Sequence, residues 1–233
     1  MHIGILSCGH TMPEVEGKHG DFPDMFRRLL DGQGFSFTDF DVEHMEFPSK
    51  INACDGWLLT GSKHGAYEEH AFIPPLETFI RQAFEHHVPM VGICFGHQII
   101  AQALGGKVEK FGGGWALGLT EYAFDGLGPI KLNAWHQDQV TALPPGARAI
   151  GTNAFCENAA LVYDDRIWTV QAHPEFSGEI IADYVALRKG TADYEDDRMD
   201  RAAALSREAN DNTHLAAHIA GFFKQQREVA RAS

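Results

Sequence analysis

Residues 88–106 read VPMVGICFGHQIIAQALGG, and their reading decides the fold. Met90–Cys94 is an apolar run of strand length, and it passes without a linker into a helical stretch, His97–Leu104, that stops at Gly105-Gly106. A buried strand feeding directly into a helix is the repeating unit of an α/β protein. Gly92 and Gly96 stand two residues either side of Cys94. That spacing predicts a sharp strand-to-helix turn whose central residue is held in a strained backbone conformation, with the glycines keeping neighbouring side chains clear. A cysteine there stands at a helix N-terminus, where the dipole and free N–H groups favour the thiolate. The N–H of Phe95 points to where an oxyanion would form. The bland alternative is a buried structural cysteine in an ordinary strand.

The same alternation continues on both sides. Ile3–Ser7, Phe35–Asp41, Gly56–Thr60 and Ile167–Gln171 read as further strands. Phe22–Leu30, Leu76–His86 and Gly178–Lys189 read as helices. From Val108 to Ile167 the texture turns glycine-rich and β-like, which predicts hairpins laid beside the parallel core. Residues 190–200 (GTADYEDDRMD) read as a polar surface connection. Leu215, Ile219, Phe222 and Phe223 mark a last amphipathic helix, whose apolar face would suit a dimer as well as an intramolecular dock. The expected architecture is α/β: a mostly parallel central sheet flanked by helices, with an additional small β region. Residues 1–190 form the main domain, and 191–233 form a helical C-terminal extension packed on it.

Composition narrows the function. With 233 residues, 44% hydrophobic and 16 phenylalanines, the chain is not disordered. Nineteen Lys plus Arg against 32 Asp plus Glu leave a charge of −13, and no basic block offers the footprint a nucleic-acid binder needs. No apolar stretch nears the ~20 residues that span a bilayer, and the N-terminus has no signal-peptide pattern. A soluble cytoplasmic protein, bound to neither membrane nor nucleic acid, is expected. Cys8, Cys54, Cys94 and Cys156 lie far apart without CxxC, against a zinc site or a disulfide framework. The 13 histidines lack HExxH and mostly stand singly, as surface or core histidines do.

A nucleophilic thiol needs a base, and the base needs an orienting group. Gln171-Ala172-His173-Pro174-Glu175 supplies both at the C-terminal end of a core strand, on the sheet edge where α/β sites form. Pro174 turns the chain so that Glu175 reaches back to the imidazole of His173. A third segment, Leu58–Tyr67 (LLTGSKHGAY), ends a strand in a glycine loop on the same edge. Gly61 is the candidate second oxyanion donor beside Phe95. A phosphate-binding role for this loop lacks the GxxxxGK[ST] spacing.

VPMVGICFGHQIIAQALGG, then WHQDQV, then VQAHPEF, in this order, resemble a class I (triad) glutamine amidotransferase. The chain most resembles the stand-alone group similar to the glutaminase domain of GMP synthetase, over roughly residues 1–190. The resemblance implies a flavodoxin-like fold and assigns roles. Cys94 would attack the γ-amide carbon of L-glutamine and form a γ-glutamyl thioester. His173 would protonate the departing ammonia and then activate water, with Glu175 holding its ring. The backbone amides of Gly61 and Phe95 would form the oxyanion hole. Gln98 would touch the amino-acid end of the substrate, and Trp135, His136, Gln137 and Asp138 would line the pocket, His136 as a wall residue and not a second base. No metal or organic cofactor is required. Thr60-Gly61-Ser62 departs from the Gly-Gly-Pro of the synthetase domain. No acceptor domain is read after residue 190, so a separate synthetase subunit would take the ammonia, or the chain is a free-standing γ-glutamyl hydrolase. The same chemistry would cleave another γ-glutamyl amide, with loops 62–75 and 111–125 deciding; Phe111–Trp115 reads as a lid or a hairpin turn. A catalytically silent binding module needs none of the three residues, and a redox or chaperone-like protein has no use for His-Pro-Glu.

Overall fold

The alternation runs through the computed structural model, which describes residues 1–232. The first part of the chain forms β1 (His2–Leu6), α1 (Pro13–His19), α2 (Phe22–Leu29), β2 (Ser36–Phe40), a 3₁₀ turn (Val42–His44), β3 (Gly56–Leu59), α3 (Ile73–Glu85), β4 (Met90–Ile93) and α4 (Phe95–Ala103). The middle is mostly strand: β5 (Lys107–Lys110), β6 (Ala116–Phe124), β7 (Gly128–His136), β8 (Asp138–Ala142), β9 (Ala147–Thr152), β10 (Ala160–Tyr163) and β11 (Ile167–Val170). Three helices follow, α5 (Gly178–Arg188), α6 (Asp196–Leu205) and α7 (Asn212–Ala232).

One nine-stranded sheet has the order β2-β1-β3-β4-β11-β10-β9-β6-β7. Its first five strands are parallel. The all-apolar core of β4 follows from its interior place: all four residues are buried, as expected of a strand covered on both faces. β2, at the edge, is half polar and largely exposed. Helices on the two faces close two apolar clusters, one around Ile3, Leu58, Phe176 and Phe223, the other around Trp57, Phe79, Phe95 and Ile99.

One expectation is sharpened and one corrected. The glycine-rich middle does form hairpins beside the parallel core, β6–β7, β9–β10 and β10–β11, and β10, β9, β6 and β7 continue the same sheet antiparallel. The switch of direction occurs at Asp164-Asp165, both left-handed (φ 45° and 59°), the backbone that a tight primed hairpin turn demands. Only β5 and β8 pair apart, as a two-stranded sheet. Residues 190–200 are not wholly a surface connection, because α6 begins at Asp196. Met199 and Ala202, one turn apart, are buried, and Gly118 (φ 71°) lets β6 approach so closely that an added Cβ would lie 2.7 Å from Ala202 Cβ. Two smaller differences concern α1, which was not anticipated, and α3, which starts three residues early with Pro74 and Pro75 in its first turn, where proline is at home.

The apolar face of α7 turns inward: Leu215, Ile219 and Phe223 are fully buried. No described helix is long and apolar enough to cross a membrane.

Candidate active site

Cys94 sits between β4 and α4 with φ 53° and ψ −103°, a conformation that costs a non-glycine residue of order 1–3 kcal/mol and persists only where the surroundings enforce it. The enforcement is backbone against backbone. Cys94 N–H donates to Val170 O at 2.9 Å, and Gly96 N–H to Thr60 O at 3.0 Å. A Cβ on Gly92 would lie 2.6 Å from Gly96 O, and one on Gly96 would lie 2.4 Å from Leu59 O. The two glycines are therefore the spaces into which the turn folds. Phe95 is the first residue of α4, so its N–H meets no intrahelical carbonyl.

His173 follows β11 and is pinned by its own N–H, which donates to Asn133 O at 2.8 Å. Its ring stacks on Phe176, with centroids 4.1 Å apart and planes 4° from parallel. His173 Nδ1 is 2.6 Å from Glu175 Oε1. A carboxylate only accepts, so the proton is on Nδ1 and the other nitrogen is left for Cys94. Burial opposes charge on this ring, but the charges of Glu175 and Cys94 and their hydrogen bonds outweigh it and raise the pKa to about 10. The two groups are both nearly sealed, at 3% and 7% exposure.

Gly61 lies where the loop after β3 passes this imidazole: an added Cβ would come within 2.9 Å of His173 Cε1. The neighbouring departures from Gly-Gly-Pro have structural work. Thr60 Oγ1 accepts from Cys8 N–H and donates to Gly61 O, both at 3.0 Å. Ser62 Oγ accepts from His64 N–H at 3.2 Å.

Cys94 and His173 open onto a cavity of about 1030 Å³. Gln98, Trp135, His136, Gln137 and Asp138 all line it, as expected from sequence. Gln98 is also a brace, its amide nitrogen donating to Asp138 O at 3.0 Å and to Gln171 Oε1 at 3.2 Å. Trp135 packs on Tyr184 and Tyr194. Gln137 donates to Phe111 O at 3.2 Å. Asp138 accepts from Tyr67 OH at 3.1 Å, while burial raises its carboxyl above the ordinary range. His136 is buried, donates from Nδ1 to Asp138 O at 3.2 Å, and is pushed down to about 3 chiefly by burial. Beside it, buried His97 shares a 2.8 Å hydrogen bond with Thr169 and is likewise driven to about 3, by burial and then by His136. Of the buried histidines in this wall, His173 alone has an anion to hold its charge.

The loop before β6 is Phe111–Trp115 only; from Ala116 onward the expected 111–125 loop is strand. Its tether was not foreseen. Arg198 of α6 donates to Gly113 O at 2.6 Å and to Trp115 O, and Gly114 and Trp115 face the cavity. Tyr67, Tyr184 and Tyr194 also enter the lining; Tyr67 ends the LLTGSKHGAY segment, and the other two stand in no motif that would mark them.

The model of the family "Glutamine amidotransferase class-I" matches residues 30–185. A glutamine amidotransferase-like protein of Schizosaccharomyces pombe is 31% identical, with 95% of this chain and 98% of that protein covered. Gamma-glutamyl peptidase 4 of Arabidopsis thaliana is 28% identical, covering 72% of each. The fold is that of a glutamine amido transferase crystal structure from Methylobacillus flagellatus, with TM-score 0.75 at 22% identity, over 97% of this chain and 92% of that one.

Proposed function

The chain belongs to the class I glutamine amidotransferase family, and from that premise we propose that it is a Cys-His-Glu amidohydrolase that releases ammonia from L-glutamine. The observation that carries the reading is the strained Cys94 beside a histidine whose far nitrogen is held 2.6 Å from a buried carboxylate. In the first step the Cys94 sulfur attacks the γ-carbonyl carbon, and the C=O electron pair moves onto oxygen, facing the N–H groups of Phe95 and Gly61. Collapse breaks the C–N bond as His173 gives its proton to the leaving nitrogen. Ammonia departs and a γ-glutamyl thioester remains. Sulfur in a thioester carries no charge, so one of the two influences that raise the His173 pKa disappears at this stage. The ring is then more readily held neutral, the form in which it can accept a proton from water as base. Hydroxide adds to the carbonyl, the C–S bond breaks, sulfur regains the proton through His173, and glutamate leaves. Glu175 orients the ring and holds its charge throughout. A separate synthetase subunit would be the acceptor of the ammonia.

A second reading keeps this chemistry and changes the leaving group to the amine of a γ-glutamyl peptide. The cavity favours it: about 1030 Å³ is the top of the range that holds drug-sized ligands, far more than one free amino acid needs. The similarity to gamma-glutamyl peptidase 4 points the same way.

The test is ammonia release from L-glutamine and amine release from a γ-glutamyl dipeptide, by the purified protein, with Cys94→Ala as the blank. Cys94-dependent ammonia release supports the first reading; a strong preference for the dipeptide replaces it with the second. Turnover of either substrate that survives in Cys94→Ala removes Cys94 as nucleophile.

A further inference from the structure

Two loops at the mouth of the cavity gather a second set of ligating side chains, away from Cys94. His10 follows β1, while Asp41, Glu43 and His44 make the turn after β2. The two strands pair in parallel, so the loops leave the sheet side by side. His10 Nε2 is 3.2 Å from Asp41 Oδ2 and 3.7 Å from Glu43 Oε2, and His44 Nδ1 is 2.9 Å from the same Asp41 oxygen. A tetrahedral ion with ligands at about 2.0–2.1 Å holds them about 3.3–3.4 Å apart. The separations straddle that spacing.

Two further observations point to a ligand here. His10 Nε2 and Glu43 Oε2 are both shut off from solvent, and neither makes a hydrogen bond; buried polar atoms of this kind ask for a partner. His10 Nδ1, on the far side of the ring, is 2.5 Å from Asp21 Oδ2, and the other Asp21 oxygen accepts from Thr11 N–H at 3.0 Å. A fixed carboxylate behind an imidazole is how proteins aim the opposite nitrogen at a metal.

We propose that His10, Asp41 and His44, whose ligating atoms all lie within 4.8 Å of one another, bind one divalent first-row ion, with Zn²⁺ the best match. Two imidazoles disfavour Ca²⁺ and Mg²⁺, which prefer oxygen, and the Asp41 ligand with Glu43 beside it balances a dication. The ion joins the loop after β1 to the turn after β2. Glu43, with Oε1 2.7 Å from His64 Nε2, ties that turn to the loop after β3 that carries Gly61. The role of the ion is to hold the frame of the cavity mouth, apart from the covalent chemistry.

The experiment uses the full, tag-free chain with Cys94→Ser, so that the thiol offers no competing ligand. Zn²⁺ binding is measured by calorimetry, and Co²⁺ is added as a spectroscopic probe. One equivalent is expected to bind, with the visible absorption of four-coordinate Co²⁺ and a rise in Tm. His10→Ala and His44→Ala should each weaken binding at least about tenfold. Asp21→Asn, which leaves all three ligands in place, should cost about 10–100-fold; it and the exposed His44 keep the test valid should His10→Ala fail to fold. Absence of binding overturns the proposal, as does binding unchanged in His10→Ala and His44→Ala. Binding lost in His70→Ala but kept in His44→Ala also overturns it, placing the ion in the neighbouring His64–Glu68–His70 group. The readout is metal, so failure here leaves the Cys94 reading standing.

Discussion

Two glycine-rich segments face the same cavity and obey different limits. At Gly92–Gly96 every added Cβ would meet backbone, at 2.6 Å and 2.4 Å from carbonyl oxygens. At Gly112–Gly114 one position has nothing within 4 Å, and the other two would meet only the side chains of Phe111, Glu195 and Arg198. Backbone cannot step aside; the ends of long side chains can. The segment that places Cys94 is thus set by main-chain contact across two neighbouring strands. The segment that shapes the outer wall is set by one arginine. Glycine means close approach in the first and mainly a bendable chain in the second.

This contrast can be broken in four places. On the rigid side, if His173 is the base, His173→Ala should lower kcat by about 10⁶-fold with the fold retained, whereas His136→Ala should lose far less. Steady-state kinetics on both variants check this, and the reverse order would move the base to the wall. Glu175→Gln should cost about 10²-fold and shift the pH profile. Glu175 helps raise the His173 pKa to about 10, so the protonated ring is present below that pH and lost above it. Without the carboxylate charge, the alkaline limb of kcat/KM should move to lower pH; a limb that stays in place would deny Glu175 its role. Gly96→Ala should destabilise the protein by about 1–3 kcal/mol through overpacking, read from urea unfolding, while Gly112→Ala should stay within about 0.5 kcal/mol. Smallest is Arg198→Ala. Releasing Gly113 and Trp115 should raise KM by about tenfold or less, more for a γ-glutamyl dipeptide than for glutamine. Equal effects on both substrates would remove the loop from leaving-group recognition.

Legibility in the sequence follows the same divide. The elbow could be read because its constraint is local: Gly92, Cys94 and Gly96 are two residues apart, and the steric demand acts over that span. His173 and Glu175 are also two apart. The loop after β3 with Gly61 could be read onto the same sheet edge as Cys94, since parallel strands end together. The hairpins of the middle region were legible, but their order in the core sheet, β10, β9, β6 and β7, was not, because sheet membership is decided by pairing with distant partners and not by local pattern. α6 was hidden by its own charges: DYEDDRMD reads as solvent-facing unless Met199 and Ala202 are noticed at helical spacing. The rim cluster joins His10 to residues more than thirty positions away, and no spacing rule spans that gap. Gln98 lines the cavity, but its hydrogen bond to Asp138 depends on β8, a strand that the local pattern left unplaced.

His97 and His136 have a consequence for the limits within which this molecule survives. Both are buried and neutral, with pKa values near 3 against an ordinary 6.5. In the unfolded chain they take up protons once the pH falls below about 6.5; in the folded chain they refuse them until about 3. The unfolded state therefore binds more protons across that window, and stability falls as the solution is acidified through it. Thermal unfolding should show Tm dropping steadily from pH 7 toward pH 4, and a flat profile would contradict the buried neutral pair. His173, protonated throughout that range, does not change state. Acid thus works on this protein by loosening the wall behind the cavity, while the imidazolium of His173 keeps its charge.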